Sequence, residues 1–249
     1  MQKLVQTWRG SYASIRWLAG APLMNLRMAR ATDQAHARKI LIDYSSRFLE
    51  TCRVGVDLSG PTPKAGQGCV VCYNESSFID LMAFCKEMWD HIDRAAAADL
   101  YTWFPFARSA FRRLPIDFVA RGNRDATNRT MEGMVDLVRS GERVAWGGEG
   151  RLSGQDGVRR FKVGAGLIAM RAEAPIVPVA FFGGHHVMPL ASLRARPGQL
   201  SIRFGEPIQT AGIPETEARD LADHVQSVVA GLYEAARAER AENHAQVQT

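Results

Sequence analysis

No stretch of the sequence comes near the roughly eighteen consecutive apolar residues that a membrane-crossing helix needs, which excludes an integral span. The basic start is broken by Trp8, Arg9, Arg16 and Trp17, so no secretory leader is expected. Cysteines are few: Cys52, Cys69, Cys72 and Cys85. Cys69-Val-Val-Cys72 has no second C-x-x-C and no histidine pair at zinc spacing, so no metal site is expected. It lies in a short apolar run, where strand residues three apart point to opposite faces and serve as small core side chains. Nothing in this usage demands an oxidising compartment, and an intracellular protein is expected. A phosphate-binding G-x-x-x-x-G-K-[ST] loop is absent, which removes support for a P-loop nucleotide hydrolase. Gly148-x-Gly150-x-x-Ser153 only approaches a dinucleotide fingerprint, with Ser at the third glycine position. Internal repeats and low-complexity tracts are also lacking.

The chain does have 249 residues, 46% of them apolar and 23% charged, enough to bury a sizeable core. Its formal net charge is +5, and this surplus is confined to the N-terminal fifth. Residues 1–50 carry eight basic side chains (Lys3, Arg9, Arg16, Arg27, Arg30, Arg38, Lys39 and Arg47) against Asp33, Asp43 and Glu50, so the remainder is balanced. These cations are interleaved with Trp8, Tyr12 and Trp17, a combination suited to the boundary between lipid headgroups and acyl chains. An anionic membrane surface is the expected partner. Nucleic acid is not, because the rest of the chain adds no basic stripe.

Leu4, Trp8, Tyr12 and Ile15 recur at helical spacing and predict an amphipathic helix that Pro22 interrupts; Ala37, Leu41, Tyr44 and Phe48 predict a second. Strands are predicted at Val54–Leu58, Cys69–Tyr73, Ile116–Val119, Arg143–Trp146, Ile176–Phe182 and Leu200–Phe204. Helices follow at Ser77–Trp89, around Met131–Val138, and along Leu221–Ala236. Alternating strands and helices imply an α/β fold, a largely parallel sheet flanked by helices, after an N-terminal amphipathic helical segment. The expected division is a basic helical segment at 1–52, an α/β domain at 53–240 and a frayed tail at 241–249.

Ligands of such folds bind beyond the carboxyl ends of strands. Three polar segments follow predicted strands: Asn74-Glu75-Ser76-Ser77-Phe78-Ile79-Asp80, Arg121-Gly122-Asn123-Arg124, and Gly147-Gly148-Glu149-Gly150-Arg151-Leu152-Ser153. On their own, Ser77 and Asp80 read as a helix cap and a first-turn acid. In order, the segments resemble the glycerolipid acyltransferase family typified by 1-acylglycerol-3-phosphate acyltransferase. Asn74 to Asp80 has the length of its N-H-x-x-x-x-D motif. Phe118-Val119-Ala120-Arg121 matches its second motif, and Gly148-Glu149-Gly150-Arg151-Leu152-Ser153 its P-E-G-T-R-S or P-E-G-R motif. Phe161-Lys162-Val163-Gly164 matches a following F-K-x-G, and Ala174-Pro175-Ile176-Val177-Pro178-Val179 the proline-containing fourth strand.

The resemblance implies fatty acyl transfer from acyl-CoA or acyl-carrier protein to a lysophospholipid-like or other lipid acceptor, with no cofactor beyond the donor itself. It implies a protein peripheral on the cytoplasmic face of the membrane. By motif position, Asp80 is catalytic; Arg121, Arg151 and Lys162 meet an acceptor phosphate; and Asn74, Ser77, Gly148, Glu149 and Gly150 shape the substrate pocket. Two departures stand out. Gly148 replaces the usual proline, and Glu75 occupies the place of the catalytic His. Glu75 is therefore either a retuned base, close to Asp80 and titrating with it, or the mark of a silent relative that binds lipid or a partner enzyme. His185-His186 follows a strand and is read as a loop pair.

Overall fold

The computed structural model of the chain describes residues 1–120, 122–190 and 192–246. Two long helices lead, α1 (Gln2–Ala29) and α2 (Gln34–Cys52). There follow β1 (Val54–Ser59), β2 (Cys69–Tyr73), α3 (Phe78–Glu87), β3 (Arg94–Ala98), α4 (Ala107–Phe111), β4 (Ile116–Val119) and α5 (Arg124–Arg139). The chain ends with β5 (Arg143–Gly147), α6 (Gly164–Ala172), β6 (Ile176–Phe182), α7 (Gly184–Val187), β7 (Gly198–Phe204) and α8 (Ala218–Gln246). The strands form one sheet in the order β1-β7-β6-β2-β5-β3-β4. All pairs are parallel except β6–β7, so β1 and β7 run against the other five strands.

Side-chain alternation along the strands divides the core into two layers. Cys69, Val71 and Tyr73 of β2 pack with α1, α2 and α3, whereas Val70 and Cys72 pack with α5, α6 and α8. Cys69 and Cys72 thus lie on opposite faces of the sheet. The boundary at residue 52 coincides with the α2–β1 junction. Even so, Ala13, Met24, Leu41, Phe48 and Leu49 of the helical segment share one buried cluster with Val177, Val179 and Phe181 of the sheet.

Three sequence expectations are corrected. First, α1 runs through Pro22 without a break. Proline removes one helical hydrogen bond, but contacts of α1 with α2 and α4 hold both halves. Second, β3 (Arg-Ala-Ala-Ala-Ala) was not expected as a strand, because alanine favours helices. Pairing with β4 and β5 overrides that preference, and Arg94 anchors it through Asp117 (3.1 Å) and Glu142 (3.3 Å). Third, α8 continues to Gln246 where a frayed tail was expected from 241. Helix α1 buries one face and exposes the other. Its buried stripe is Gln6, Gly10, Ala13, Ala21, Met24, Asn25 and Met28, while Leu4, Trp8, Tyr12 and Ile15 are exposed. Small side chains face the core because the chain approaches closely there: a Cβ on Gly10 would collide with the Leu193 carbonyl.

One ion pair, buried on the arginine side only, ties the start of the interior strand β5 to the neighbouring loops. Arg143, 7% exposed, holds Asp93 through two nitrogens (2.8 and 3.0 Å) and donates to the Pro63 and Asp90 carbonyls (3.2 and 3.0 Å). The guanidinium in turn holds the Asp93 carboxyl below its ordinary range. Arg143→Met strands the Pro63 and Asp90 carbonyls while Asp93 keeps access to water, so it is predicted to lower stability by about 1–3 kcal/mol in urea unfolding.

Candidate active site

Tyr73 at the end of β2 lies opposite Gly147 at the end of β5, so the two motif loops leave the sheet side by side. Backbone hydrogen bonds lace them together. Gly148 N donates to Tyr73 O (2.8 Å), Ser153 N to Glu75 O (2.8 Å) and Gly154 N to Ser76 O (3.1 Å). Lys162 N then closes the glycine loop on Gly148 O (2.8 Å). Gly148 needs to be small, because a Cβ there would sit 2.5 Å from the buried Phe161 ring. That contact accounts for glycine where the family pattern has proline. Gly150 has φ +68, the left-handed region that glycine enters freely, and the Lys162 side chain lies over it.

The loop after β2 is built around Asp80. Its Oδ2 accepts from Ser76 N (2.7 Å), Ser76 Oγ (2.7 Å) and Ser77 N (2.9 Å), and the Ser77 hydroxyl accepts from Ile79 N (3.1 Å). This is a reciprocal cap on α3. Asp80 is 1% exposed, and its Oδ1 has no hydrogen-bond partner. Gly184, at the start of α7, packs so closely on that oxygen that any side chain there would collide with it. Burial pushes the Asp80 carboxyl up to about 6, against the pull of its three donors.

The structure pairs the carboxyls differently from the sequence expectation. The Asp80 oxygens hydrogen-bond Ser76 and Ser77 or nothing, so Asp80 shares no proton with Glu75. The charge coupled to Asp80 is that of Glu149, from the neighbouring loop. Glu149 is 6% exposed; its Oε1 accepts from Arg159 N (2.8 Å) while Oε2 makes no hydrogen bond. The nearby Ser153 hydroxyl is turned to Gln155 O instead (3.3 Å). Burial first, and the negative charge of Asp80 second, push Glu149 up to about 7.

Glu75 is half-buried beside the bare backbone of Gly147, whose Cβ position would be 3.3 Å from Glu75 Oε2. Its charge reaches across the sheet end and raises the Tyr73 and Cys85 ionisations, after burial. Asn74 is wholly buried and both ends of its amide bind the Phe181 backbone (3.1 and 2.8 Å). It is a clamp between β2 and β6, not a side chain presented to substrate. Ser77 is likewise buried and committed to the cap. Arg151 and Lys162 are exposed at the rim. Arg121 lies outside the described residues.

Sequence reading missed Ser76 and Gly184. Ser76 was visible as a second hydroxyl in the motif, while Gly184 is distant in sequence and gives no local signal. His186 pairs with Asp156 (3.2 Å), which also binds Tyr233 (2.5 Å) and Arg237 (2.6 Å), so it fastens the glycine loop's far end to α8.

Beside this site, between α1, α2, α3 and the β3–β4 edge, lies a cavity of about 680 Å3 including its open mouth. Its walls are mainly apolar, with Trp17, Leu81, Met82, Cys85, Phe104 and Phe118 among them. Cys85 carries the influence of Glu75 into that wall.

Because the native state raises both Asp80 and Glu149, it binds protons more tightly than the unfolded chain. Stability from these groups is complete below their ordinary range near pH 4 and falls as pH rises through about 6 and 7. Glu149→Gln keeps the Arg159 bond and is predicted to remove about 1–3 kcal/mol of that decline, read from urea midpoints between pH 4.5 and about 7.5.

Residues 55–182 match the family model described as Acyltransferase. The fold is similar to the crystal structure of the 1-acyl-sn-glycerophosphate (LPA) acyltransferase PlsC from Thermotoga maritima. The TM-score is 0.70 at 20% identity, over 95% of this chain and 96% of that one. No curated protein matches the chain in sequence. The structural likeness agrees on the α/β sheet and the leading helices. The family match spans half the chain, from β1 to the end of β6, and takes in both laced motif loops: the chain belongs to the acyltransferase family.

Proposed function

We propose that this acyltransferase moves a fatty acyl group from acyl-CoA or acyl-carrier protein to a lysophospholipid-like or other lipid acceptor at an anionic membrane surface. The observation that carries the reading is the coupled, buried pair Asp80 and Glu149, each with an oxygen lacking a hydrogen bond, in the two laced loops of which one also carries Glu75, beside an apolar cavity. The cavity suits the acyl chain, and the rim cations Arg151 and Lys162 suit an acceptor phosphate, with Arg121 in the same role by its motif position.

In the proposed step Glu75 is the base. It takes the proton of the acceptor hydroxyl as that oxygen attacks the thioester carbonyl carbon. The C–S bond then breaks, and the departing sulfur receives the proton from Glu75. A free glutamate, near pKa 4.3, is a weak base for a hydroxyl, so the site must bring proton and oxygen together by positioning. Asp80 acts by holding the β2–α3 turn that carries Glu75, and Glu149 by shaping the glycine loop beside it.

Glu75→Gln preserves shape but takes up no proton. Turnover with the acceptor is predicted to fall roughly 10²–10⁴-fold, and near-full activity would defeat the assignment. The alternative, a silent relative, is favoured by the same residue standing in place of His. Glu75→His separates the two: a gain of activity on lysophosphatidic acid from an inactive parent identifies a silenced site.

The exposed side of α1 supports membrane association. Leu4 (76% exposed), Trp8 (68%) and Ile15 (66%) point outward, with Trp103 (88%) in the segment that α1 meets at its far end. Lys3, Arg16 and Arg27 are exposed on the same helix, and Arg30 just beyond its end. Each cation near an anionic surface contributes about 1 kcal/mol within a Debye length. Among the described residues no helix is long and apolar enough to cross a membrane. Flotation with anionic liposomes is predicted to weaken as salt rises and to fall several-fold in Trp8→Glu and Trp103→Glu. Flotation unchanged by either would remove the membrane surface as a partner.

A further inference from the structure

A second opening lies between the two leading helices, apart from the site already described. It is a groove of about 460 Å3 including its open mouth, lined by α1 between Ala13 and Gly20 and by α2 between Tyr44 and Thr51. None of these residues falls within the family-matched segment 55–182. Each helix contributes positions three and four apart, which share one face. Ala13 and Phe48 are buried, and Trp17 and Tyr44 are half-buried. The short link after α1 turns α2 back along it. Tyr44 fixes the register of the two helices. Its hydroxyl donates to the Trp17 carbonyl, and a Cβ on Gly20 would lie 2.6 Å from its oxygen. With Tyr44 opposite the turn from Trp17 to Gly20, Arg47, three residues further along α2, falls opposite Arg16 on the reversed α1.

Arg16 and Arg47 are the two charged residues that line the groove, and both are exposed. Neither forms an ion pair with a carboxylate among the described residues. Asp43, the acid one turn before Arg47, is taken by Lys39 (3.0 Å). The Arg16 charge is felt inside the groove: burial pushes the Tyr44 hydroxyl up to about 12, and Arg16 pulls it the other way. Packed helices stand about 8–10 Å apart, so two arginine stems at one level bring both forks to a single group seated between them. A phosphate is the anion whose oxygens suit such forks. The aromatic walls have no use for a free phosphate, but they cover the glycerol esters and first methylenes of a lipid. The groove also borders the outward side of α1, where Tyr12 (45% exposed) and Ile15 stand next to Arg16 in the helix. We propose that this groove is a discrete site for an anionic phospholipid of the membrane, with Arg16 and Arg47 on its phosphate. The inference rests on reading α1 as an interfacial helix.

Calorimetric titration of the full chain with dihexanoyl phosphatidylglycerol, kept below its micelle concentration, reads the site without a bilayer and without turnover. Dihexanoyl phosphatidylcholine and inorganic phosphate are the comparison arms. The phosphatidylglycerol is expected to saturate, and both comparison ligands to bind about tenfold more weakly or less. Arg16→Gln and Arg47→Gln are each expected to weaken it about tenfold, the loss of one charge-assisted contact. Arg27→Gln removes the same charge from an exposed position of α1 outside the groove and is expected to change binding less than about twofold. Unfolding midpoints equal to the parent's show that the variants are folded. Equal losses in all three variants would mean diffuse surface charge and overturn the proposal. Binding that survives Arg16→Gln and Arg47→Gln places the lipid elsewhere and overturns it too. Inorganic phosphate binding as tightly as the lipid would make this a site for a soluble anion, and equal binding of the phosphatidylcholine a site blind to charge; either overturns it, as does the absence of saturable binding. Failure of the parent chain to float with anionic liposomes, beside intact binding of the monomeric lipid, would count against the interfacial reading of α1 and not against the groove.

Discussion

A single carboxylate oxygen organises the candidate site. Asp80 Oδ2 gathers three donors from Ser76 and Ser77, which turns the chain from the end of β2 into α3 within four residues. Glu75 lies within that turn, and its carbonyl and that of Ser76 receive the amides of the glycine loop. The second motif loop is therefore aligned on the first. Gly184 is held to the same point, since only a residue without a side chain fits against Asp80 Oδ1. A change at Asp80 is felt by both loops and by the end of β6 together.

That arrangement has an electrostatic consequence. Burying a carboxyl deeply enough to hold a turn disfavours its charged form, and the Asp80 charge extends the effect to Glu149. Near neutral pH the interior of the site is thus close to its own titration, while the basic side chains of Arg151 and Lys162 stand exposed at the rim. An acidic floor under a basic rim suits a ligand with an anionic head and a proton to lose.

The leading helices serve two surfaces at once. One side of α1 is small and fits under the sheet, lining the apolar cavity through Trp17, Ala21, Met24 and Asn25. The other side carries the large apolar and cationic side chains outward. A helix with its bulkiest apolar residues in solvent is at odds with folding alone and fits an interfacial helix. The same packing makes α1 and α2 part of the core, so they are not a detachable anchor.

Much of this was legible in the sequence. Alternation and turn clusters located β1, β2, β4, β5, β6 and β7, because the buried strands β2, β5 and β6 read as apolar runs and the partly exposed β1 and β7 as alternating ones. The motif order located the loops after β2 and β5, because short polar segments beyond strand ends carry their chemistry locally. The basic, aromatic character of the N-terminal fifth was equally plain. Only tertiary structure decided the rest. Strand β3 exists because neighbouring strands supply its hydrogen bonds, against alanine's own preference. The reversal of β1 and β7 depends on sheet pairing across distant segments. Which side of α1 faces inward was set by close backbone approach at Gly10, not by hydrophobicity. The Asp80–Glu149 coupling joins residues from separate loops, and the apolar cavity exists only because α1, α2 and α3 pack against the β3–β4 edge. Periodicity records a residue's own chemistry, whereas burial, pairing and charge coupling belong to neighbours that the fold alone brings together.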